Sequence, residues 1–514
     1  MSIAERKSHH LAKKERVKRA KLNISMSLLT QGINLICGLI VPRLLLKAFG
    51  SDAYGATASI AQFLSYIVLL EGGIGGVARA ALYTPLAHKN WQEVSSIMAE
   101  IRYFFRIIGG IFIIYTLGLA CVFKYISHFQ YYDWLGTFAL VIIISLSSIA
   151  QYLLGISNAI LLTASQREYI NKSINIVALI ANTLLIVILV YFHCGLLIVK
   201  LASSLVFILR PLAMYVYVRK YFPIDSSAKR NKNALQQKWT GLGQHLAYFV
   251  HHNTDMAVLT IFANLSLVAV YSIYNMISNQ IQHFTASFTS GMEAIFGEML
   301  AKKEIAALKR TFSYYETLIS CISISCFASA AILIISFVFI YTRGITDANY
   351  IQNNFSLLLL LAALIFSLRT PYHALVMSAG HFKQTRWAAY GEAILNIIIS
   401  ILLVYKYGLI GVAVGTLIAV SFRFVFYIFH TAKHLLLSSP LSSFKRLFLN
   451  LCTFTLILCM GKIFLSNFAI PTYLHWVLVA IPIFIMAVSV CLISNMLVYP
   501  ADLKAILKQI KRRK

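Results

Sequence analysis

Apolar residues fill the chain in blocks of about twenty to thirty, and polar residues gather in short runs between them. A helix crossing a bilayer needs about twenty apolar residues. That template fits near 23–46, 56–82, 104–127, 135–163, 172–192, 194–218, 240–263, 267–297, 313–341, 354–378, 386–406, 409–433, 447–467 and 473–499. The pattern predicts an all-α polytopic membrane protein with about fourteen transmembrane helices. The tightest joints are His193-Cys194-Gly195 and Tyr407-Gly408, where two segments meet almost without a loop.

Inside several segments, polar residues recur at helical spacing. The first carries Asn23, Ser27, Gln31, Asn34 and Gly38; the second, Ser59, Gln62 and Tyr66. The seventh carries Gln244, Tyr248, His251, His252 and Asp255; the eighth, Tyr271, Asn275, Asn279 and Gln282; the eleventh, Glu392, Asn396 and Ser400. Each set forms one stripe on an otherwise apolar helix. Lipid cannot satisfy such groups, so the stripes face other helices or water. Interhelical bonding accounts for any single Asn or Ser. Rich stripes on segments 1, 2, 7 and 8 together point to a shared aqueous cavity.

Charge fixes the expected orientation. Charged residues are 12% of the chain, against roughly 25% in soluble proteins, and 45 Lys+Arg face 17 Asp+Glu. A nucleic-acid protein clusters its bases on one folded face. Here they alternate between loops. With the N-terminus in the cytoplasm, about 35 of the 45 fall in cytoplasmic tails, loops and helix ends. About five fall outside, at Arg43, Lys47, Lys124, Arg343 and Lys406. Both termini are therefore expected in the cytoplasm, and the net charge of +28 needs no nucleic-acid partner. The tails, 1–22 and 500–514, suit anionic membrane lipids. The first is too polar for a secretory signal. The eight cysteines form no CxxC and signal neither metal nor disulfides.

The loop 219–239, RKYFPIDSSAKRNKNALQQKW, reads as a basic cytoplasmic linker between two bundles. The sequences on either side repeat. Residues 159–196 and 374–409 share a basic turn, an Asn (Asn182, Asn396), a Leu-Val-Tyr and a Gly turn. At a similar offset Arg210 falls on Arg423. The expected division is an N-lobe at 23–218, a C-lobe at 240–433, and two further helices within 447–499, as in transporters built from parallel repeats.

The first 85 residues resemble the polysaccharide-unit flippases (Wzx type) of the multidrug/oligosaccharidyl-lipid/polysaccharide exporter superfamily. The resemblance rests on Asn34, on IVPRLLLKAFGSDAYGATAS (40–59) and on LEGGIGGVARA (70–80), with the basic turns and Gly breaks of later segments. It implies two six-helix lobes in a V and a central cavity open to one side at a time. It implies an undecaprenyl-diphosphate-linked oligosaccharide as cargo, a bacterial inner-membrane location, and a polymerase or other polysaccharide-assembly proteins as partners.

Charges inside the membrane sharpen the expected chemistry. Lys200, Arg210, Arg369, Arg423 and Lys462 lie within segments, and Arg43 and Arg79 near segment ends. A central Arg or Lys costs about 2.5–3.5 kcal/mol to insert. The acids at depth are Glu71, Asp255, Glu293 and Glu392. Pairing with them absorbs part of the positive charge. The surplus suggests an anionic cargo, and a diphosphate suits the planar fork of Arg. The expected cargo-binding set is Arg43, Arg79, Arg210, Arg369 and Arg423, with Gln31 and Asn34. Glu71, beside Gly72-Gly73-Ile74-Gly75-Gly76, reads as an acid at a hinge. His251 and Asp255 are i,i+4 partners and, with His252, a candidate coupling site for H⁺ or Na⁺.

No GxxxxGK[ST], HExxH, GxSxG or Asp-x-Asp motif is present, and no outer loop much exceeds about a dozen residues. The chain is expected to be a transporter without cofactor or metal, not an enzyme. Three alternatives stay open. A cation-coupled multidrug exporter would favour acids in its cavity. A lipid-linked peptidoglycan precursor flippase shares the helix count. A membrane-embedded polymerase would need larger outer loops.

Overall fold

A computed structural model describes residues 3–71, 74–235, 253–289, 291–466, 468 and 470–502. Every regular element among them is helical. In chain order they are α1 (Ile3–Ser65), α2 (Ile74–Ala87), α3 (Trp91–Ser127), α4 (Trp134–Ala150), α5 (Ile156–Ala164), α6 (Glu168–Tyr191) and α7 (Leu196–Tyr221). Then come α8 (253–262), α9 (Leu265–Ser287), α10 (Met292–Ala301), α11 (Ile305–Tyr341), α12 (Asn353–Ser378), α13 (Phe382–Tyr407), α14 (Leu409–His434), α15 (Pro440–Leu465) and α16 (Tyr473–Val498).

Among the described residues, eleven stretches are long and apolar enough to cross a membrane. The first, 21–71, holds the first expected segment and the start of the second, which part where α1 breaks at Gly50 (φ 81°, ψ 173°). A side chain there would strain, and glycine does not. Two expected segments remain. Residues 240–263 lie mostly outside the described residues. Residues 267–297 are interrupted between α9 and α10 and diluted by their polar stripe.

Other segments expected to be continuous are interrupted too. The second passes from α1 into a 3-10 turn, Tyr66–Glu71, before α2. The fourth is α4 and α5 joined by a π turn, Gln151–Gly155. Such turns break the regular bonding ladder and recur at functional positions. Polar caps set several helix starts. Asn90 Oδ1 accepts from the Glu93 amide at 3.2 Å, and Asp133 Oδ1 from the Gly136 amide at 2.8 Å. Each satisfies one of a helix's orphan N–H groups.

The chain divides into two compact units, Met1–Leu246 and Ala247–Lys514. In the first, α1 packs on α6, α3 on α4, and α4 and α6 on α7. Asn23 ties α1 to the α5–α6 turn: its Nδ2 donates to Gln166 O at 3.2 Å, and its Oδ1 accepts from the Tyr169 amide at 2.8 Å. The described start of the basic linker lies against α3, with the Asp225 amide donating to Ser95 Oγ and Arg230 stacked 3.7 Å above the Tyr103 ring. The neighbouring Ser227 donates to the exposed Asp225 carboxylate and holds it below its ordinary pKa.

In the second unit, α12, α13 and α14 pack together, and α15 and α16 dock on α11. Arg446 of α15 fixes that docking. It meets Glu316 of α11 at 3.4 Å and Asp502, just past α16, at 3.0 Å, all three buried. α13 and α14 meet at Gly408 with almost no loop. Their contact is close enough that a Cβ on Gly415 would lie 2.9 Å from the Ser400 backbone nitrogen. Large apolar side chains face outward, as in Leu497, 78% exposed. This suits a protein whose surroundings are lipid, where association rests on packing and hydrogen bonds.

Candidate functional site

In the first unit, the 3-10 turn, the end of α4, the π turn and α7 enclose a cavity of ≈ 490 Å³. Ser65, Glu71, Ser147, Ser148, Gln151, Tyr152 and Arg210 supply its polar lining. The π turn places Gln151 and Tyr152 on that wall, and its last residue, Gly155, leaves room for the Gln151 amide. Arg210 reaches in from α7. Its Nη1 donates to Asn175 Oδ1 of α6 at 2.9 Å, and its buried Nε has no partner. No carboxylate of the described residues forms an ion pair with it. Glu71 shares the cavity with Arg210 but bonds elsewhere: Tyr152 OH donates to its Oε1 at 2.5 Å. The sequence placed Arg210 with the cargo and Glu71 at a hinge; the fold puts both on one cavity.

The second unit holds its charges differently. Glu392 of α13 is completely buried and receives two arginines. Arg369 Nη1 of α12 donates to Oε1 at 2.7 Å, and Arg423 Nη1 of α14 donates to Oε2 at 2.6 Å. Arg423 also donates to Tyr427 OH from Nε and Nη2, at 3.2 and 2.9 Å. The two arginines are 5% and 4% exposed. Their forks are therefore occupied by Glu392 and by Tyr427, with the Phe366 ring 4.6 Å from Arg369. The triad carries one net positive charge.

One helical turn along α13 from Glu392 lies Asn396, which belongs to a second buried cluster. Its centre is Asp255 of α8, 4% exposed. Asp255 Oδ2 accepts from Thr416 Oγ1 at 2.8 Å and from Tyr271 OH at 3.0 Å, and Oδ1 accepts from Asn396 Nδ2 at 3.3 Å. These three partners are neutral. Asn396 Oδ1 is buried without a partner. The Val412 carbonyl accepts from Ser400 Oγ at 3.5 Å and lies 3.1 Å from Thr416 Oγ1, whose one proton goes to Asp255. A cavity of ≈ 30 Å³ opens beside Asp255, lined also by Asn275, Asn279 and Gln282. Carboxylate and neutral oxygens of this kind are the ligand type that hard cations prefer. No cluster of three His, Cys, Asp or Glu able to hold a metal occurs among the described residues.

The remaining expected residues are scattered. Gln31 and Asn34 are exposed on α1. Arg43 and Arg79 are half-buried. His251 and His252 lie outside the described residues. Sequence reading missed Tyr152, Asn175, Ser147, Ser148 and Gln151, although Ser147, Ser148, Gln151 and Tyr152 recur at helical spacing. It also missed Thr416, whose one sign is its place on the helix after Asn396. The Arg446–Glu316–Asp502 group had no signal either, since its members lie far apart in the chain.

No protein-family model matches the chain, and no curated protein matches it by sequence. Solved structures do match. Lipid II flippase MurJ in an inward closed conformation superposes with a TM-score of 0.69 at 16% identity, over 93% of this chain and 99% of that one. An inward-facing multidrug resistance MATE family transporter of the MOP superfamily gives 0.60 at 13% identity, over 80% and 98%. The MATE multidrug transporter DinF-BH gives 0.57 at 17% identity, over 80% and 95%. The chain has the polytopic all-helical fold of these transporters.

Proposed function

We propose that this chain flips an undecaprenyl-diphosphate-linked oligosaccharide from the cytoplasmic to the periplasmic leaflet of a bacterial inner membrane, by alternating access and for surface polysaccharide assembly. The observation that carries this reading is Arg210. Its guanidinium lines a cavity inside an apolar bundle, with a neutral Asn175 as its bonded partner and one buried N–H unused. A positive charge held at depth without an ion-paired acid favours an anionic ligand, and the Arg fork suits a phosphate. Arg43 and Arg79 are further candidates on the same unit. Arg369 and Arg423, engaged by Glu392, would serve the cargo only in a conformation that releases them.

The oxygen cluster at Asp255 supports coupling to Na⁺ or H⁺. Its single carboxylate and neutral oxygens suit either ion. A cation-coupled multidrug exporter is less well matched, because Arg210 in the first-unit cavity opposes the attraction of Glu71 for cationic cargo. A lipid-linked peptidoglycan precursor is the second reading. It is favoured by the likeness to the lipid II flippase, which extends over 93% of the chain.

Two measurements test these readings. Arg210→Ala should abolish surface polysaccharide display at unchanged protein abundance, and Arg210→Lys should restore it poorly, since one ammonium cannot copy the fork. Full display with Arg210→Ala would refute the assignment of the charge to cargo. Rescue of cells depleted of their lipid II flippase would move the cargo to the peptidoglycan precursor.

A further inference from the structure

The wall of the first-unit cavity facing Arg210 is unlike a phosphate site. It offers the hydroxyls of Ser147 and Ser148, the amide of Gln151 and the carboxylate of Glu71. The two serines and the glutamine make no side-chain hydrogen bond with the described residues. Glu71 keeps Oε2 for a further donor, since Tyr152 takes Oε1. In an apolar bundle, polar groups without partners are costly unless water or a ligand meets them.

Charge narrows that ligand. A bare phosphate gains from Arg210 but meets repulsion from Glu71. A cationic amphiphile gains from Glu71 but meets Arg210. A neutral, hydroxyl-rich ring beside a phosphate satisfies both: its hydroxyls donate to Glu71 and Gln151 and accept from the serines, while the phosphate reaches Arg210. The volume of ≈ 490 Å³ lies within the roughly 300–1,000 Å³ usual for small-ligand sites.

Depth agrees. Ser148 lies fourteen residues into α4 and Arg210 fourteen residues into α7, each about 21 Å along its helix. Both helices run toward the end of the unit bearing Arg167, Arg219 and Lys220, the end expected to face the cytoplasm. The cavity is thus near the middle of both spans.

We propose that this cavity is a saccharide subsite that recognises the sugar attached directly to the lipid diphosphate, with Ser147, Ser148, Gln151 and Glu71 as its hydrogen-bonding wall. The proposal rests on the flippase reading above, and it assigns Glu71 to cargo recognition as well as to the neighbourhood of a hinge.

The test uses the full chain in lipid nanodiscs and two probes: undecaprenyl diphosphate, and undecaprenyl diphosphate carrying one N-acetylhexosamine. The wild type should bind the glycosylated probe at least tenfold more tightly. The double variant Ser147→Ala/Ser148→Ala should cut that preference about five- to twentyfold, as expected for two lost hydrogen bonds, and leave the bare probe within twofold. Glu71→Gln should reduce the preference in the same sense, which guards against a folding defect in either variant. Equal wild-type affinity for both probes overturns the subsite and leaves the flippase reading standing. So does a preference that both variants retain. Binding of neither probe by the wild type overturns the flippase reading and the subsite with it.

Discussion

Arg423 donates from Nη1 to Glu392 Oε2 at 2.6 Å across the α13–α14 interface. The second carboxylate oxygen is taken by Arg369, so one buried acid holds three helices together. In the first unit, the α6–α7 interface carries an analogous bond from Arg210, but to neutral Asn175. An acid pairs with the arginine in one unit, and a neutral amide meets it in the other.

Removing Arg423 leaves Glu392 paired with Arg369 alone. Arg423→Ala should lower stability by about 1–3 kcal/mol, because Glu392 loses a charged hydrogen bond and Tyr427 its donor. Adding Glu392→Gln should deepen the loss, because Arg369 is then buried without its acid. Thermal unfolding in detergent, alongside protein abundance, checks both. A fully stable Arg423→Ala protein would contradict a structural role for the triad.

The Asp255 cluster predicts cation-dependent stability. A cation that binds only the folded protein stabilises it by roughly 2.7 kcal/mol at one hundred times its dissociation constant. Replacing choline chloride with NaCl at equal ionic strength should therefore raise the melting temperature of the wild type. In Asp255→Asn that rise should vanish. A rise of equal size in the variant would remove Asp255 from the ion site.

Gly415 controls how closely α13 and α14 approach. A Cβ there would meet the Ser400 backbone nitrogen at 2.9 Å and crowd the Ser400 hydroxyl. Gly415→Ala should cost about 1–3 kcal/mol and weaken the NaCl effect, since Thr416 and Asn396 would be forced apart. Adding Ser400→Ala should recover only a fraction, because the backbone contact remains. Unchanged melting in Gly415→Ala would mean the two helices separate freely.

The helices follow from the order of residues alone, because burying backbone in lipid leaves only a helix or a closed barrel, and apolar blocks of this length suit a helix. The charge of the loops likewise set an expected orientation. Periodicity also marked Asn396, Glu392 and Asp255 as inward-facing, since lipid rejects them. It could not say which charge meets which. Arg369, Glu392 and Arg423 lie on three helices, and only their packing decides that both arginines close on one carboxylate. The interruptions at Tyr66–Glu71 and Gln151–Gly155 were equally hidden. Hydropathy reads straight through them, yet they build the cavity beside Arg210. Ser147 and Ser148 gained meaning there and nowhere earlier, because a hydroxyl in an apolar helix is ordinary until the fold leaves it facing a space with no partner.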